Sequence, residues 1–129
     1  SVKNLWTGFM SEYKTGVDGS SFPEVAQFKN YTEAVLRTAN GHTDPKESLK
    51  CWVMGLAGEA GEVTELFKKE IYHDKVIARA DKVKELGDVL WYLTALAYNQ
   101  GITLQEIMEK NIEKLKKRYP KGFVKAVAK

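Results

Sequence analysis

Two stretches of this 129-residue chain decide its fold: GLAGEAGEVTELFKK at residues 55–69 and ELGDVLWYLTALA at residues 85–97. Each contains two acids three residues apart, Glu59 with Glu62 and Glu85 with Asp88. Residues spaced i, i+3 lie on one side of an α-helix. At about 100° per residue, both pairs border an apolar stripe at the same helical phase. If the two helices pack antiparallel, the pattern predicts that four carboxylates converge.

Four converging carboxylates indicate a bound cation, because buried like charges cannot all stay ionised without compensation. Ligands that are all oxygen favour a hard divalent ion, Mg²⁺ or Mn²⁺. An isolated ExxE on a helix is more commonly solvent-exposed, but two pairs at matched phase favour a metal site. A ferritin-like di-iron protein would need Glu-x-x-His motifs, and neither acid pair has a His at that spacing.

Glycines crowd the first acid pair at positions 55, 58 and 61, and Gly87 lies inside the second pair. A glycine inside a helix costs about 0.5–1 kcal/mol relative to alanine. Three within seven residues therefore require a reason. We expect close approach of another backbone or of a ligand at these positions.

Length and composition predict one cytoplasmic domain. A chain of 129 residues suits a single modest core, and the lone Cys51 fits a reducing compartment. No apolar run approaches the roughly 20 residues of a membrane span, and the N-terminal residues do not resemble a signal peptide. The net charge of +3 is too small to indicate nucleic acid. The basic residues from position 110 onward suit either a solvated helix face or a phosphate site.

Periodicity and capping signals predict an all-α protein with five helical segments. Short connections favour an antiparallel four-helix bundle core with a short extra N-terminal helix. We assign residues 1–20 to an N-terminal extension, 21–122 to the domain and 123–129 to a tail. The predicted segments are residues 5–13, 21–41, 44–71, 75–100 and 103–120. Apolar residues expected to face inward include Val53, Ala60, Val83, Leu86, Leu90, Ile112 and Leu115.

Several polar and aromatic residues are candidates for substrate contact. Asn111, Lys114 and Arg118 line one stripe of the last helix, and Asn111 lies near the middle of its apolar face, where it needs a partner. The stripe is either a structural Asn beside solvated cations or a row of donors for phosphate and sugar. Tyr92 and Trp52 lie near the acid borders and suit either core packing or ligand contact. Lys69 shares a helix side with the first acid pair.

These stretches resemble the MazG-like nucleoside triphosphate pyrophosphohydrolases of the all-α NTP pyrophosphatase superfamily. The family signature is ExxE, a spacer, then ExxD, which Glu59, Glu62, Glu85 and Asp88 match. The segment NIEKLKKRYPKG at residues 111–122 resembles the third motif of the family. YTEAVLRTA at residues 31–39 resembles its first helix, although Thr32 stands where Gln is common.

The resemblance implies Mg²⁺-dependent cleavage of (deoxy)nucleoside triphosphates to the monophosphate and pyrophosphate, with Mn²⁺ as a substitute ion. It implies that the four acids hold the metal and act in catalysis. Substrate contacts would come from Lys69, Trp52, Tyr92, Asn111, Lys114 and Arg118. The alternative is a non-catalytic helical bundle that binds nucleotides or a protein partner.

A homo-oligomer is expected, with a tetramer favoured over a dimer. Trp6, Phe9, Met10 and Tyr13 form an aromatic stripe that a chain of this length has little core left to cover, and exposed patches of this kind mark interfaces. Trp91 lies away from the inward face of its helix, so its indole ring also needs other residues to shield it from water. We expect no membrane and no nucleic-acid partner.

Overall fold

The computed structural model describes residues 25–39 and 44–122, and within these ranges it is helical without a strand. The helices are α1 (Val25–Thr38), α2 (Pro45–Tyr72), α3 (Arg79–Asn99) and α4 (Leu104–Arg118). The all-α class is therefore confirmed, while the bundle arrangement stays a prediction. The predicted helix at residues 5–13, the aromatic stripe on it and the capping box at 21–24 lie outside the described residues. The described residues belong to two compact units. One contains residues 30–101, and the second contains residues 25–29 and 102–122.

Helix ends follow local capping chemistry where a capping residue is present. The Asp44 carboxylate accepts a hydrogen bond from the Lys46 amide at 2.9 Å, and Pro45 occupies the first turn of α2. At the start of α4, Thr103 Oγ1 accepts from the amide of Glu106 at 3.1 Å. Such bonds satisfy amides that have no partner inside the helix. The sequence therefore locates both of these helix starts correctly.

The start of α3 is later than predicted. The helix begins at Arg79 rather than near Lys75, and its first flanking residue, Ala78, has no side-chain capping bond. Residues 73–78 form the connection, in which Asp74 adopts a positive φ of 49° and Val76 is 98% exposed. Apolar residues recur at helical spacing within this connection too, and no capping residue marks where the helix begins. The periodicity alone therefore predicts a helix start that is too early.

Helices α2 and α3 form an antiparallel hairpin, which is the main feature of the unit spanning residues 30–101. Near the connection, Lys82 Nζ lies 2.7 Å from the Glu70 carboxylate. At the far end, Asn99 Nδ2 donates to the carbonyl of Pro45 at 3.1 Å. The two contacts fix the register of the hairpin, and that register places Glu59 beside the acids of α3.

Aromatic packing joins the middle of the hairpin to α1. The rings of Trp52, Trp91 and Tyr92 contact one another, with centroid separations of 4.9–6.1 Å. Trp91 Nε1 donates to Thr38 Oγ1 of α1 at 2.9 Å. We expected Trp91 to need a cover and took this as an argument for an oligomer. Residues of its own chain supply part of that cover, because Thr38 and Trp52 lie against Trp91 and leave it half-buried.

The hairpin buries less apolar surface than its sequence pattern suggests. Among the described residues of this unit, the buried hydrophobic side chains are Val35, Ala95 and Ala97, and Thr32, Ser48 and Thr94 are also buried. Several residues predicted to face inward are exposed, because a periodic stripe fixes the phase of a helix but not how much of the stripe its neighbours cover. These exposed residues are Val53, Ala60, Val83, Leu86 and Leu90.

Helix α4 also departs from its predicted face. Ile112 and Leu115 were expected inward but are 36% and 43% exposed. The buried side chains of α4 are Gln105 and Glu109, and Gln105 Nε2 donates to Glu109 Oε1 at 3.0 Å. This bond satisfies only part of the pair, because Gln105 Oε1 is buried without a hydrogen-bond partner among the described residues. The apolar stripe alone did not reveal the buried polar pair.

Gly55 is required by the close approach of Tyr92, and this predicts opposite effects for two glycine substitutions. A Cβ at position 55 would overlap the Tyr92 ring, whereas a Cβ at position 58 would meet no atom of the described residues within 4 Å. We expect Gly55→Ala to lose about 1–3 kcal/mol of unfolding free energy through overpacking. At a protein concentration at which the chain is a monomer, Gly58→Ala should hold or gain about 0.5–1 kcal/mol from helix propensity. Urea unfolding of both variants tests this, and equal stabilities would show that the Tyr92 ring does not depend on Gly55.

Candidate metal centre

Three of the four predicted acids come together between α2 and α3. Glu59, Glu85 and Asp88 each offer a carboxylate oxygen, and these oxygens lie within 4.8 Å of one another. All three side chains are half-buried. Glu62 lies one helical turn beyond Glu59 and is exposed, outside this close set. The structure therefore assembles a three-acid cluster with a fourth carboxylate next to it.

The donor set fits a hard divalent cation. Mg²⁺ binds oxygen ligands at about 2.0–2.1 Å, so oxygens on opposite sides of the ion are about 4.2 Å apart. Adjacent oxygens of the octahedron are about 2.9 Å apart, and the three carboxylate oxygens, all within 4.8 Å of one another, lie in the range that one ion can bridge. Mg²⁺ also keeps several waters when it binds, which suits a partly exposed cluster. Glu59, Glu85 and Asp88 are thus the residues that could hold a metal, with Glu62 within one turn.

The cluster is electrostatically unfavourable without a cation. Burial raises the pKa of the Glu59 carboxyl, and the charges of Asp88, Glu85 and Glu62 raise it further. Two lysines of the hairpin have other partners: Lys68 lies 4.0 Å from Glu65, and Lys82 pairs with Glu70. A divalent cation would reverse the effect on Glu59, because a nearby positive charge favours the ionised form.

Tyr31 of α1 is a member of this site that the sequence analysis missed. Burial raises the pKa of its phenol, and the charge of Asp88 raises it further. The phenol of Tyr31 therefore lies within electrostatic range of the Asp88 carboxylate. Its only sequence signal was its position at the start of YTEAVLRTA, where its spacing suits an ordinary core residue equally well.

An open cavity of about 290 Å³ lies against the acid cluster. Glu59 and Asp88 line one part of it, and Trp91 and Tyr92 line the other. Tyr92, a predicted substrate contact, is therefore placed beside the acids. Trp52, the other predicted aromatic contact, lies behind these rings and touches both. The cavity therefore combines carboxylates with an aromatic wall.

The remaining predicted substrate contacts are solvent-exposed. Lys69 is exposed ten residues beyond Glu59 on α2, about 15 Å along the helix axis. Asn111, Lys114 and Arg118 are exposed on α4, in the other compact unit. The expectation that Asn111 sits in an apolar face and needs a partner is wrong. The stripe of three donors is accessible, and its role stays a prediction.

Removing the charge of Glu59 should stabilise the metal-free protein. Because its folded-state pKa is raised, Glu59 contributes stability at low pH that is lost as the pH rises through the folded value. In EDTA at pH 7, Glu59→Gln should therefore raise Tm, and the gain should shrink as the pH falls toward the ordinary carboxyl range. Added Mg²⁺ should raise the Tm of the parent protein but not of Glu59→Gln.

The matched control for that measurement is Glu65→Gln, an exposed acid on the same helix. It should leave both the EDTA melting curve and the Mg²⁺ response nearly unchanged. A Glu59→Gln variant that melts like Glu65→Gln under all conditions would contradict the repulsive cluster.

Comparison with known proteins agrees with the geometry of the site. The family model of the MazG nucleotide pyrophosphohydrolase domain matches residues 47–123, which include all four acids. Gene 37 protein of Mycobacterium phage L5 is 40% identical over 98 residues, covering 72% of this chain and 85% of that protein. No solved structure matches significantly. None of the described helices is both long enough and apolar enough to cross a membrane. The chain belongs to the MazG nucleotide pyrophosphohydrolase domain family.

Proposed function

We propose that this protein hydrolyses (deoxy)nucleoside triphosphates to the monophosphate and pyrophosphate, in a reaction that depends on Mg²⁺. The observation that carries the proposal is the cluster of Glu59, Glu85 and Asp88 beside an open aromatic cavity in a MazG-family chain. Mn²⁺ would serve as a substitute ion, because it prefers the same oxygen ligands.

The acids have two roles in this proposal, metal binding and proton transfer. Glu59, Glu85 and Asp88 would hold the ion, and Glu62 would add a fourth carboxylate from the next turn of α2. A bound metal would supply positive charge that neutralises the triphosphate and would make the attacking water more acidic. The water oxygen forms a bond to the α-phosphorus, and the bond from that phosphorus to the β-bridging oxygen breaks. One carboxylate of the set accepts the water proton as general base.

Further residues are proposed to contact the substrate. Tyr92 and Trp52 supply aromatic surface next to the cluster. Tyr31 adds a protonated phenol close to Asp88. Lys69, Asn111, Lys114 and Arg118 are exposed donors that suit phosphate and sugar oxygens.

We further propose that the protein is a homo-oligomer, with a tetramer favoured over a dimer. The hairpin exposes Met54, Leu86 and Leu90 at 73%, 51% and 42%. Gly58 and Gly61 lie on the same hairpin, and no atom of the described residues lies within 4 Å of their Cβ positions. Exposed apolar side chains beside open glycines suit the close approach of a second copy. Such packing would also supply the missing reason for these two helical glycines.

The reaction is tested by following products across the common NTPs and dNTPs with Mg²⁺. We expect monophosphate and pyrophosphate in equal amounts and no turnover in excess EDTA. Glu62→Gln and Asp88→Asn should each lower kcat by about 100-fold or more, or about 3 kcal/mol, while Glu65→Gln should not. Full turnover in EDTA would exclude the metal mechanism, and binding without turnover would favour the non-catalytic alternative.

Arg118 provides a separate test of phosphate contact by α4. Arg118→Ala should raise KM for every nucleotide by a similar factor, roughly ten- to a hundredfold, through loss of a charge-assisted hydrogen bond. The ranking of bases should stay the same, because phosphate carries no base information. Lys116→Ala, exposed on the opposite side of α4, is the matched control and should leave KM unchanged. A reordered base preference in Arg118→Ala would place α4 at the other end of the substrate.

A further inference from the structure

A second cavity lies within residues 30–101, beyond the aromatic cluster. Its volume is about 310 Å³, and its lining is mainly apolar with a few polar groups. Pockets of this composition are typical of sites for small organic ligands, and this volume is at the lower end of their range. The cavity therefore suits a single ring system rather than a whole nucleotide. Its lining includes Leu36, Ala39, Ser48, Trp52, Ala95 and Tyr98.

The aromatic cluster lies between this cavity and the cavity beside the acids. Trp52 lines the second cavity, and its ring contacts both Trp91 and Tyr92, which line the cavity beside the acids. Trp52 precedes Glu59 by seven residues on α2, and Ala95 follows Asp88 by seven on α3. Seven helical residues span about 10 Å. This separation is comparable to the reach of a nucleotide from its α-phosphorus to the far edge of its base.

The two cavities differ in chemistry in the way that the two ends of a nucleotide do. Carboxylates form part of the first cavity, which suits a metal ion and the phosphates it neutralises. The second has an aromatic wall at Trp52 and small side chains at Ala39 and Ala95. A planar heterocycle can stack on such a wall. The positions of the two alanines define the width of the cavity and therefore the size of the heterocycle that fits.

We propose that the second cavity binds the heterocyclic base of the substrate and that Ala39 and Ala95 set the size of base it admits. The proposal rests on the proposed function, because the phosphate end must lie at the acids. Tyr98 is the polar group best suited to read the base edge. Asn99 is already bonded to Pro45 and Gln100, whereas the Tyr98 hydroxyl has no hydrogen-bond partner among residues 25–39 and 44–122.

Filling the cavity from its edge tests the proposal. Ala39 is half-buried just after α1, so Ala39→Phe should narrow the cavity without disturbing the core. We expect kcat/KM to fall at least tenfold for purine dNTPs and by a smaller factor for pyrimidine dNTPs. Ala34→Phe is the matched control, because Ala34 is exposed on the same helix and does not line the cavity. Equal losses for all four dNTPs, or no loss in a folded Ala39→Phe protein, would overturn the proposal.

Tryptophan fluorescence gives a second measurement that does not require turnover. Purine deoxynucleoside monophosphates should quench the parent protein and a Trp91→Phe variant, and the quenching should be largely lost in Trp52→Phe. Quenching lost in Trp91→Phe instead would place the base in the acid-side cavity and overturn the proposal. The two proposals fail separately: absence of pyrophosphate release refutes the hydrolase, whereas release with a base preference insensitive to Ala39→Phe refutes only the base site.

Discussion

Repulsion among the carboxylates between α2 and α3 is the constraint on which the rest of the structure depends. The antiparallel register brings Glu59 against Glu85 and Asp88, and the resulting charge raises the pKa of Glu59. Contacts at both ends of the hairpin hold that register, an ion pair near the connection and a side-chain hydrogen bond at Pro45. A fold that holds acids together in this way gains stability from whatever cation it binds. A metal ion held as proposed would therefore couple metal binding to folding through the same three side chains.

The middle of the hairpin is shaped by one steric fit. Gly55 leaves the space that the Tyr92 ring occupies, and Tyr92 in turn packs against Trp52 and Trp91. This cluster separates the cavity beside the acids from the more apolar cavity lined by Ala95. The same cluster reaches α1 through the hydrogen bond from Trp91 to Thr38. A single aromatic cluster thus lies between the proposed phosphate end of the site and its proposed base end.

The limited core of the hairpin has a physical meaning of its own. Leu86 and Leu90 extend the apolar stripe of α3 to the surface. On α2, no atom of the described residues lies within 4 Å of the Cβ positions of Gly58 and Gly61. A stripe that one chain leaves partly uncovered exposes apolar surface to water, which is unfavourable in proportion to its area. Association of copies along this surface would remove that cost and bring further groups close to the acids.

The sequence by itself determined the helical class, the capped starts of α2 and α4 and the end of α3 at Gly101, because caps and the 3.6-residue period are local properties. It also identified two acid pairs at matched helical phase, of which the structure brings three members together. It did not determine how wide a face each helix buries, so Val53, Leu86 and Leu115 were placed inward wrongly. Tertiary structure alone decided that Glu62 lies outside the close cluster, that Tyr31 approaches Asp88 and that Tyr92 fills the space over Gly55. These facts depend on the register and separation of helices distant in sequence, which no periodicity within one helix contains.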